Sequence, residues 1–253
     1  FGPSLIAHAK HAADPMWFND DCRAYIWPML RYHDPSLFHN DYLAQFFLDV
    51  MPIGYKLLYW TWSRLADTRS LSKVLPYLLL PVFLASVWIT VRRLASTVAA
   101  WAAVALCLSS TYFLWRLTGG LPRAFGAVII GVAAMSLTLG RPMLLAAVTC
   151  LGAALYPVVG LVSGIVLAAY LLLFPAVDRK GTEHWSVRRR LLVVGITAIL
   201  SAGLVLPTLL RTHTYGSLIR PGEISTYPEA GPGGRYEPKD LPPYKGFGAE
   251  AWN

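Results

Sequence analysis

Residues 191–210 read LLVVGITAILSAGLVLPTLL, a run of apolar side chains with no charged residue. A helix needs about 20 such residues to cross the hydrocarbon core of a bilayer. Five more apolar segments come before it, and none of them contains Asp, Glu, Lys, Arg or His: 74–91, 97–115, 124–139, 142–157 and 158–175. The sequence therefore predicts an all-α fold, a polytopic transmembrane helix bundle of about six segments. The third and fourth segments are short enough to be tilted or only partly inserted.

The composition supports a membrane protein and argues against several other classes. Of the 253 residues, 55% are hydrophobic and 14% are charged, whereas soluble domains carry about 25% charged residues. The net charge of +8 comes mainly from basic residues beside the apolar segments. Such residues set membrane topology, so nucleic acid is not an expected partner. The sequence contains no Walker A loop, HExxH zinc motif or GxSxG elbow, and its apolar segments lack the ionisable groups of an ion pathway.

The loop charges predict an orientation. Arg92, Arg93, Arg141 and the basic loop 178–190 alternate along the chain with a loop that holds Arg116 and Arg123. The positive-inside rule places the larger basic set in the cytoplasm. Three regions follow from this: an outer amphipathic region 1–73, a transmembrane bundle 74–210 and an outer Pro/Gly-rich loop 211–253.

The sequence of region 1–73 predicts short helices that lie along the outer surface of the membrane. Asn19 or Asp20 suits the N-cap of a helix beginning near Asp21, and Pro28 would end that helix early. The remaining signals are a turn at Asp34-Pro35-Ser36, a helix Tyr42 to Val50 capped by Asp41, and a helix Ile53 to Leu65. That last helix mixes Tyr55, Tyr59, Trp60 and Trp62 with Lys56 and Arg64, a composition typical of the bilayer interface.

The strongest candidate for chemistry is the acidic pair in Phe18-Asn19-Asp20-Asp21-Cys22-Arg23. Two adjacent carboxylates can bind a hard divalent cation through oxygen. One of them could instead act as a general base, because a neighbouring like charge raises its proton affinity. The alternative is purely structural, with one carboxylate capping a helix and the other paired with Arg23 or Arg31. His8 and His11, one helical turn apart, suit shared metal ligation but equally a solvated helix face.

An acidic pair in the first outer loop, surface helices after it and many short spans resemble the GT-C glycosyltransferase superfamily. The same segment, followed by Asp34-Pro35-Ser36-Leu37-Phe38, also resembles a group of uncharacterised bacterial membrane proteins. Further points of resemblance are Gly120-Leu121-Pro122-Arg123-Ala124-Phe125, Tyr156-Pro157, Pro228-Glu229 and Gly233-Gly234-Arg235. The likeness covers most of the chain in layout, although the superfamily motif itself is only the acidic pair.

The resemblance implies sugar transfer from a lipid-phosphate donor at the outer face of a bacterial cytoplasmic membrane. Asp20 and Asp21 would then be the catalytic base or the ligands of a divalent metal ion. Arg23, Arg123 and Arg235 would bind the donor phosphate, because guanidinium forks match phosphate oxygens. Since the chain begins without Met or a signal peptide, we expect it to be a portion of a longer protein with at least one membrane span before Phe1. The alternative function is a non-catalytic membrane subunit that packs against partner proteins in a larger complex.

Overall fold

The computed structural model describes residues 21–174 and 185–215, together with Ile6, Lys10, Ala13, Asp14 and Phe18. Contacts between Cα atoms divide the chain into two units, Phe1–Thr214 and Tyr215–Asn253. All the elements considered below belong to the first unit, apart from one terminal turn that reaches Tyr215.

The described residues form an all-α fold without a β-strand, as the sequence predicts. The α-helices are α1 (Cys22–Tyr25), α2 (Tyr42–Val50), α3 (Ile53–Ser63), α4 (Thr68–Leu94), α5 (Thr97–Ser109), α6 (Thr111–Leu117), α7 (Ala124–Thr138), α8 (Pro142–Leu155), α9 (Pro157–Leu173) and α10 (Val187–Thr212). The described part of the chain also forms three 3-10 helices, Trp27–Tyr32, Thr118–Gly120 and His213–Tyr215.

Local signals fix several of these helix ends. Helix α1 ends before Pro28, which lies in the first turn of the following 3-10 helix, because proline cannot supply the next backbone N–H donor. Asp41 caps α2 by accepting a hydrogen bond from the Ala44 amide at 3.0 Å. Tyr156 alone separates α8 from α9, so the helix break lies close to the predicted boundary between segments 142–157 and 158–175.

Among the described helices, α4 and α10, with 27 and 26 residues, are long and apolar enough to cross a membrane. A third span is present if α5 and residues 113–120, which meet at a bend of 73°, are taken together. Helices α7, α8 and α9 have 15, 14 and 17 residues. At a rise of about 1.5 Å per residue, 14 to 17 residues extend for only about 21–26 Å, less than the hydrocarbon core of about 30 Å. All six predicted segments are therefore largely helical, but they differ in whether their helices are long enough to cross the hydrocarbon core.

The short helices pack closely through glycine. A methyl group on Gly152 would lie 2.8 Å from the Cα of Gly160, and one on Gly160 would lie 2.6 Å from the carbonyl carbon of Gly152. Small residues at such a contact let two helix backbones approach closely, which is a common form of packing between membrane helices. Gly195 and Gly203 in α10 have open space instead, so glycine in an apolar segment does not by itself mark a helix contact.

The bundle has two ends of different composition. Gly120 lies against Ser72 and Gly131 against Ser86, so α4 and α7 run in the same direction. We call the end with Asp21, Asp49, Arg123 and Arg211 the carboxylate end. We call the other, with Arg92, Arg141 and Arg190, the arginine end. Helices α1, α2 and α3 pack at the carboxylate end.

Candidate functional site

A tight turn between α6 and α7 forms the base of the candidate site. Gly119 and Gly120 both have positive φ, 81° and 60°, which glycine adopts without steric penalty. The hydroxyls of Tyr55 and Tyr59 each donate a hydrogen bond of 2.9 Å to the Gly120 carbonyl oxygen. The Cys22 thiol lies 3.5 Å from the carbonyl oxygen of Gly119. Helices α1 and α3 thereby fix the position of this turn.

The two tyrosines differ from the expectation that their rings lie at the bilayer interface. Tyr55 and Tyr59 are fully buried, and their ring centroids are 4.9 Å apart. Burial raises the pKa of both phenols, because an apolar surrounding disfavours the charged form. Both therefore remain neutral donors, and one carbonyl oxygen can accept both bonds through its two lone pairs.

The turn presents Arg123, which the sequence singles out, to Asp21, the second residue of the acidic pair. Arg123 precedes α7 and Asp21 precedes α1. An Nη1 atom of Arg123 lies 2.5 Å from an Oδ2 atom of Asp21, a charge-assisted hydrogen bond across 102 positions of sequence. The two side chains keep 26% and 36% of their surface exposed, so the pair borders solvent. The Nε atom of Arg123 is buried and has no hydrogen-bond partner among the described residues.

A cavity of about 430 Å³ opens beside this pair. We call it the Arg123 cavity. Its described polar lining comes from Asp21, Tyr25, Arg116, Arg123, Tyr156 and Thr208. Its apolar walls come from α2, α9 and α10 and from residues 52 and 121–122. Arg116 and Arg123 flank the glycine turn. The cavity thus has two guanidinium groups and one described carboxylate, and a polar group with negative charge would be favoured there.

A second, apolar space adjoins the Arg123 cavity. A groove of about 620 Å³ lies between α8, α9 and α10, and Pro157, Val158 and Val205 line both spaces. Two of its few polar side chains are satisfied within their own helices: the Thr149 and Thr197 hydroxyls donate to backbone carbonyls at 2.9 and 2.7 Å. This apolar groove was not predicted. Its signal in the sequence was small residues on three helices, which is also the pattern of ordinary packing.

The structure brings together some of the predicted site residues and leaves others untested. Asp21 and Arg123 meet directly. The backbone of Arg23 lies in α1, while Asp20, Arg235, His8 and His11 lie outside the described residues. Asp21 neighbours the start of α1 but makes no side-chain cap bond. Among the described side chains it pairs with Arg123, whereas Arg31, one partner that the structural alternative offered, donates to Gln45 at 3.0 Å. The side chain of Arg23, the other one, is outside the described part of the structure.

The described residues do not by themselves fit a divalent metal ion. No group of three His, Cys, Asp or Glu side chains with suitable spacing occurs among them. Asp21 is the carboxylate among the described lining residues of the Arg123 cavity, and it already accepts a bond from Arg123. A hard cation needs about six oxygen ligands, some of which can be water. The predicted metal site would depend on Asp20 or other residues outside the described part of the chain.

Comparison of the chain with protein-family models, with curated proteins and with solved structures gives no match.

Proposed function

We propose that this chain belongs to a membrane enzyme that transfers a sugar from a lipid-phosphate donor, at the membrane face on which the Arg123 cavity opens. One observation carries the proposal: a polar cavity with two arginines and a carboxylate shares three wall residues with an apolar groove. A lipid phosphate likewise has a charged phosphate group joined to a hydrocarbon chain. Its phosphate suits Arg116 and Arg123, and its hydrocarbon chain suits the groove between α9 and α10.

The unpartnered Nε of Arg123 supports a phosphate ligand. A buried donor without a partner carries a free-energy cost of about 1–3 kcal/mol. Guanidinium has five N–H donors, so Arg123 can keep its bond to Asp21 and donate others to a phosphate oxygen. Such a phosphate would satisfy the Nε–H and would spread its charge over Arg116 as well. Arg23 and Arg235 remain predicted contributors.

The proposed transfer uses Asp21 as base. The acceptor hydroxyl oxygen forms a bond to the anomeric carbon of the donor sugar, and the bond from that carbon to the phosphate oxygen breaks. The bonding electrons leave with the lipid phosphate, whose added charge Arg116 and Arg123 stabilise. The hydroxyl proton passes to the Asp21 carboxylate, which lies beside Arg123 on the same cavity wall. Asp20 is the second candidate base, and a divalent metal held by Asp20 and Asp21 remains a prediction for the same step.

The test is hexose transfer from a radiolabelled lipid-phosphate hexose by the full-length protein in liposomes. Asp21→Asn should lower turnover by about 10²–10⁴-fold, the usual contribution of a general base. The double variant Asp20→Asn/Asp21→Asn should lose at least as much. Asp67→Asn is the matched control, since Asp67 lies near the same end but bonds Arg69 outside the cavity. Equal turnover in the wild type and the double variant would remove the catalytic role of the pair.

We further propose that the carboxylate end faces outward, in a bacterial cytoplasmic membrane. The arginine end contains Arg92, Arg141 and Arg188–Arg190, and basic loops remain in the cytoplasm. Cysteine replacements at Arg93 and at Thr118 would test this with a membrane-impermeant thiol reagent, in a background lacking the native cysteines. We expect labelling from outside at position 118 and not at position 93. The reverse pattern would overturn the orientation.

The second candidate is a non-catalytic subunit, and the ion pair itself favours it. A 2.5 Å bond between Asp21 and Arg123 joins α1 to α7, which is also what a purely structural pair would do. In that case the exposed apolar faces of α5 and α10 would pack against partner proteins. The subunit reading predicts that Asp21→Asn weakens assembly or stability and that the wild type transfers no sugar.

A further inference from the structure

A second polar groove lies at the carboxylate end, on the other side of Thr208 from the Arg123 cavity. It measures about 340 Å³ and runs between α3 and the last turns of α10. We call it the Lys56 groove. Its lining is Tyr32, Ile53, Lys56, Leu57, Trp60, Pro207, Thr208 and Arg211. Ile53, Lys56, Leu57 and Trp60 recur at the spacing of one helix face, so α3 presents a continuous wall to the groove.

Two cations and one carboxylate set the charge of this groove. Lys56 Nζ donates to the Leu48 carbonyl oxygen at 3.0 Å. Arg211 Nη1 lies 3.2 Å from Asp49 Oδ1, and the Arg211 side chain stays 60% exposed. Asp49 also accepts a hydrogen bond from Gln45 at 2.9 Å. Lys56 and Arg211 line the groove, and Asp49, which pairs with Arg211, balances only one of their two positive charges. The groove therefore has a net positive charge, and part of the Arg211 side chain faces solvent.

The pKa of Lys56 agrees with an unbalanced positive charge. Burial lowers the pKa of this ammonium group, the charge of Arg211 lowers it further, and Asp49 acts in the opposite direction. An anion bound between Lys56 and Arg211 would favour the charged form. No described carboxylate other than that of Asp49 adjoins these two cations in the groove.

The position of the groove along α10 indicates the depth at which a ligand would bind. Arg211 lies in the last turn of this 26-residue helix, which is long enough to cross the membrane. A basic residue at the end of a span lies at the level of lipid headgroups. Ile53, Leu57 and Trp60 are each at least 40% exposed, so the groove has apolar walls open to the same level. An aromatic ring, apolar side chains and cations together are typical of the interface.

We infer that the Lys56 groove binds the phosphate headgroup of an anionic membrane lipid, with Lys56 and Arg211 on the phosphate and Ile53, Leu57 and Trp60 against its glycerol and upper acyl carbons. This lipid is distinct from the proposed sugar donor, because Thr208 is the one described lining residue that the Lys56 groove shares with the Arg123 cavity, and Lys56 and Arg211 line the groove alone. The inference stands even if the chain catalyses no transfer.

The test is native mass spectrometry of the purified protein with phosphatidylglycerol, with phosphatidylcholine and with free glycerol 3-phosphate. The variant is Lys56→Gln/Arg211→Gln. The matched control is Arg69→Gln/Arg93→Gln, which removes the same charge from exposed arginines outside the groove. We expect phosphatidylglycerol to bind the wild type and the control alike, and about tenfold or more weakly to the Lys56 variant, the scale expected for two basic residues at an anionic surface.

Several outcomes would overturn the inference. Equal weakening in the control would make the effect one of net charge alone. Equal binding of phosphatidylglycerol and phosphatidylcholine would remove the preference for an anionic lipid. Displacement of phosphatidylglycerol by glycerol 3-phosphate would identify a soluble phosphate as the ligand. A second measurement needs no variant: phosphatidylglycerol should raise the thermal unfolding midpoint of the wild type more than phosphatidylcholine does, and an equal effect would contradict the site.

Discussion

The two ends of the helix bundle hold their arginines in different ways. At the carboxylate end, Arg123 bonds Asp21 at 2.5 Å and Arg211 bonds Asp49 at 3.2 Å. At the arginine end, the guanidinium of Arg92 lies 4.8 Å from the ring centroid of Trp88. The described residues 88–97, 137–143, 171–174 and 185–192 of that end include no Asp or Glu.

Backbone carbonyls take the place of carboxylates at the arginine end. Arg190 Nη1 lies 3.1 Å from the carbonyl oxygen of Leu171 and 3.3 Å from that of Phe174. These oxygens belong to the end of α9, where carbonyls lack helical partners and the helix dipole favours a cation. Arg189 lies over the ring of Trp185 at 4.1 Å. One end therefore holds its arginines with carboxylates beside polar cavities, whereas in the described part of the other end backbone carbonyls and aromatic rings hold Arg92, Arg189 and Arg190.

The largest expected effect is a loss of stability on replacing a glycine by alanine, and it should differ between two glycines of similar φ, one at each end of the bundle. Gly120 at the carboxylate end has φ +60°, and an added Cβ would lie 2.6 Å from both the Ser72 Cα and the Tyr59 hydroxyl oxygen. Gly140 at the arginine end has φ +62°, but its added Cβ would meet only the Tyr170 hydroxyl at 4.0 Å. Gly120→Ala should therefore lower the free energy of unfolding by roughly 2–4 kcal/mol, and Gly140→Ala by about 1 kcal/mol.

Reversible unfolding in mixed detergent micelles, followed by circular dichroism, would measure both variants. The difference between them isolates the packing contribution, because the backbone strain is the same in both. Equal losses would mean that the Gly120 turn relaxes away from Ser72, and the contrast between a packed and an open end would fail.

The Gly120 turn also shows where prediction from sequence reaches its limit. Helix ends were predictable because Pro28, Asp41 and Pro157 act through neighbouring backbone groups. The burial of Tyr55 and Tyr59 was not, since tyrosine and tryptophan mixed with basic residues have the same pattern at an interface and in a core. Their acceptor, the Gly120 carbonyl, lies more than 60 positions away.

The candidate site was predictable only in part, because it too depends on contacts between residues that are far apart in the sequence. The loop charges predicted that Asp21 and Arg123 lie on one face of the membrane, and they are in contact. Loop charge predicts the side of the membrane on which a residue lies but not which side chain it contacts. Arg23 and Arg31 were therefore equally good candidate partners for Asp21. The apolar groove depends on how α9 and α10 separate, which is set by packing across three helices rather than by any one segment.

A second prediction uses alkaline pH to weaken the carboxylate end. Burial raises the pKa of Tyr32 to about 12, whereas an unfolded tyrosine has a pKa of about 10. Between these values the unfolded chain loses the proton and the folded chain keeps it, so stability falls as pH rises from about 10 to about 12. Below about pH 10 the stabilisation is fully present. The loss due to Tyr32 should approach about 2 kcal/mol, somewhat less than two pKa units imply, because the ring is partly exposed.

Tyr32→Phe should remove that part of the alkaline loss, because phenylalanine does not titrate. Tyr42→Phe is the control, since the Tyr42 side chain is 68% exposed. The free energy of unfolding would be compared at several alkaline pH values, with tyrosinate absorbance recorded in parallel. If Tyr32→Phe and the wild type lose the same stability, Tyr32 is not the group that responds.

The smallest expected effect compares one arginine from each end. Arg190→Gln removes the hydrogen bonds to the Leu171 and Phe174 carbonyls, and bonds from a charged donor to such groups contribute roughly 1–2 kcal/mol. Arg211→Gln removes an ion pair whose arginine is 60% exposed, and such pairs contribute about 0–1 kcal/mol.

We therefore expect Arg190→Gln to lower the free energy of unfolding more than Arg211→Gln does. Added salt should reduce the Arg211 effect, because exposed charges are screened, and should change the Arg190 effect less, because Arg190 bonds neutral carbonyls in a partly buried position. Measuring both variants at low and high ionic strength separates the two cases. A larger, salt-dependent loss for Arg211→Gln would contradict the prediction, since the Arg211–Asp49 ion pair would then stabilise the fold more than the hydrogen bonds of Arg190 do.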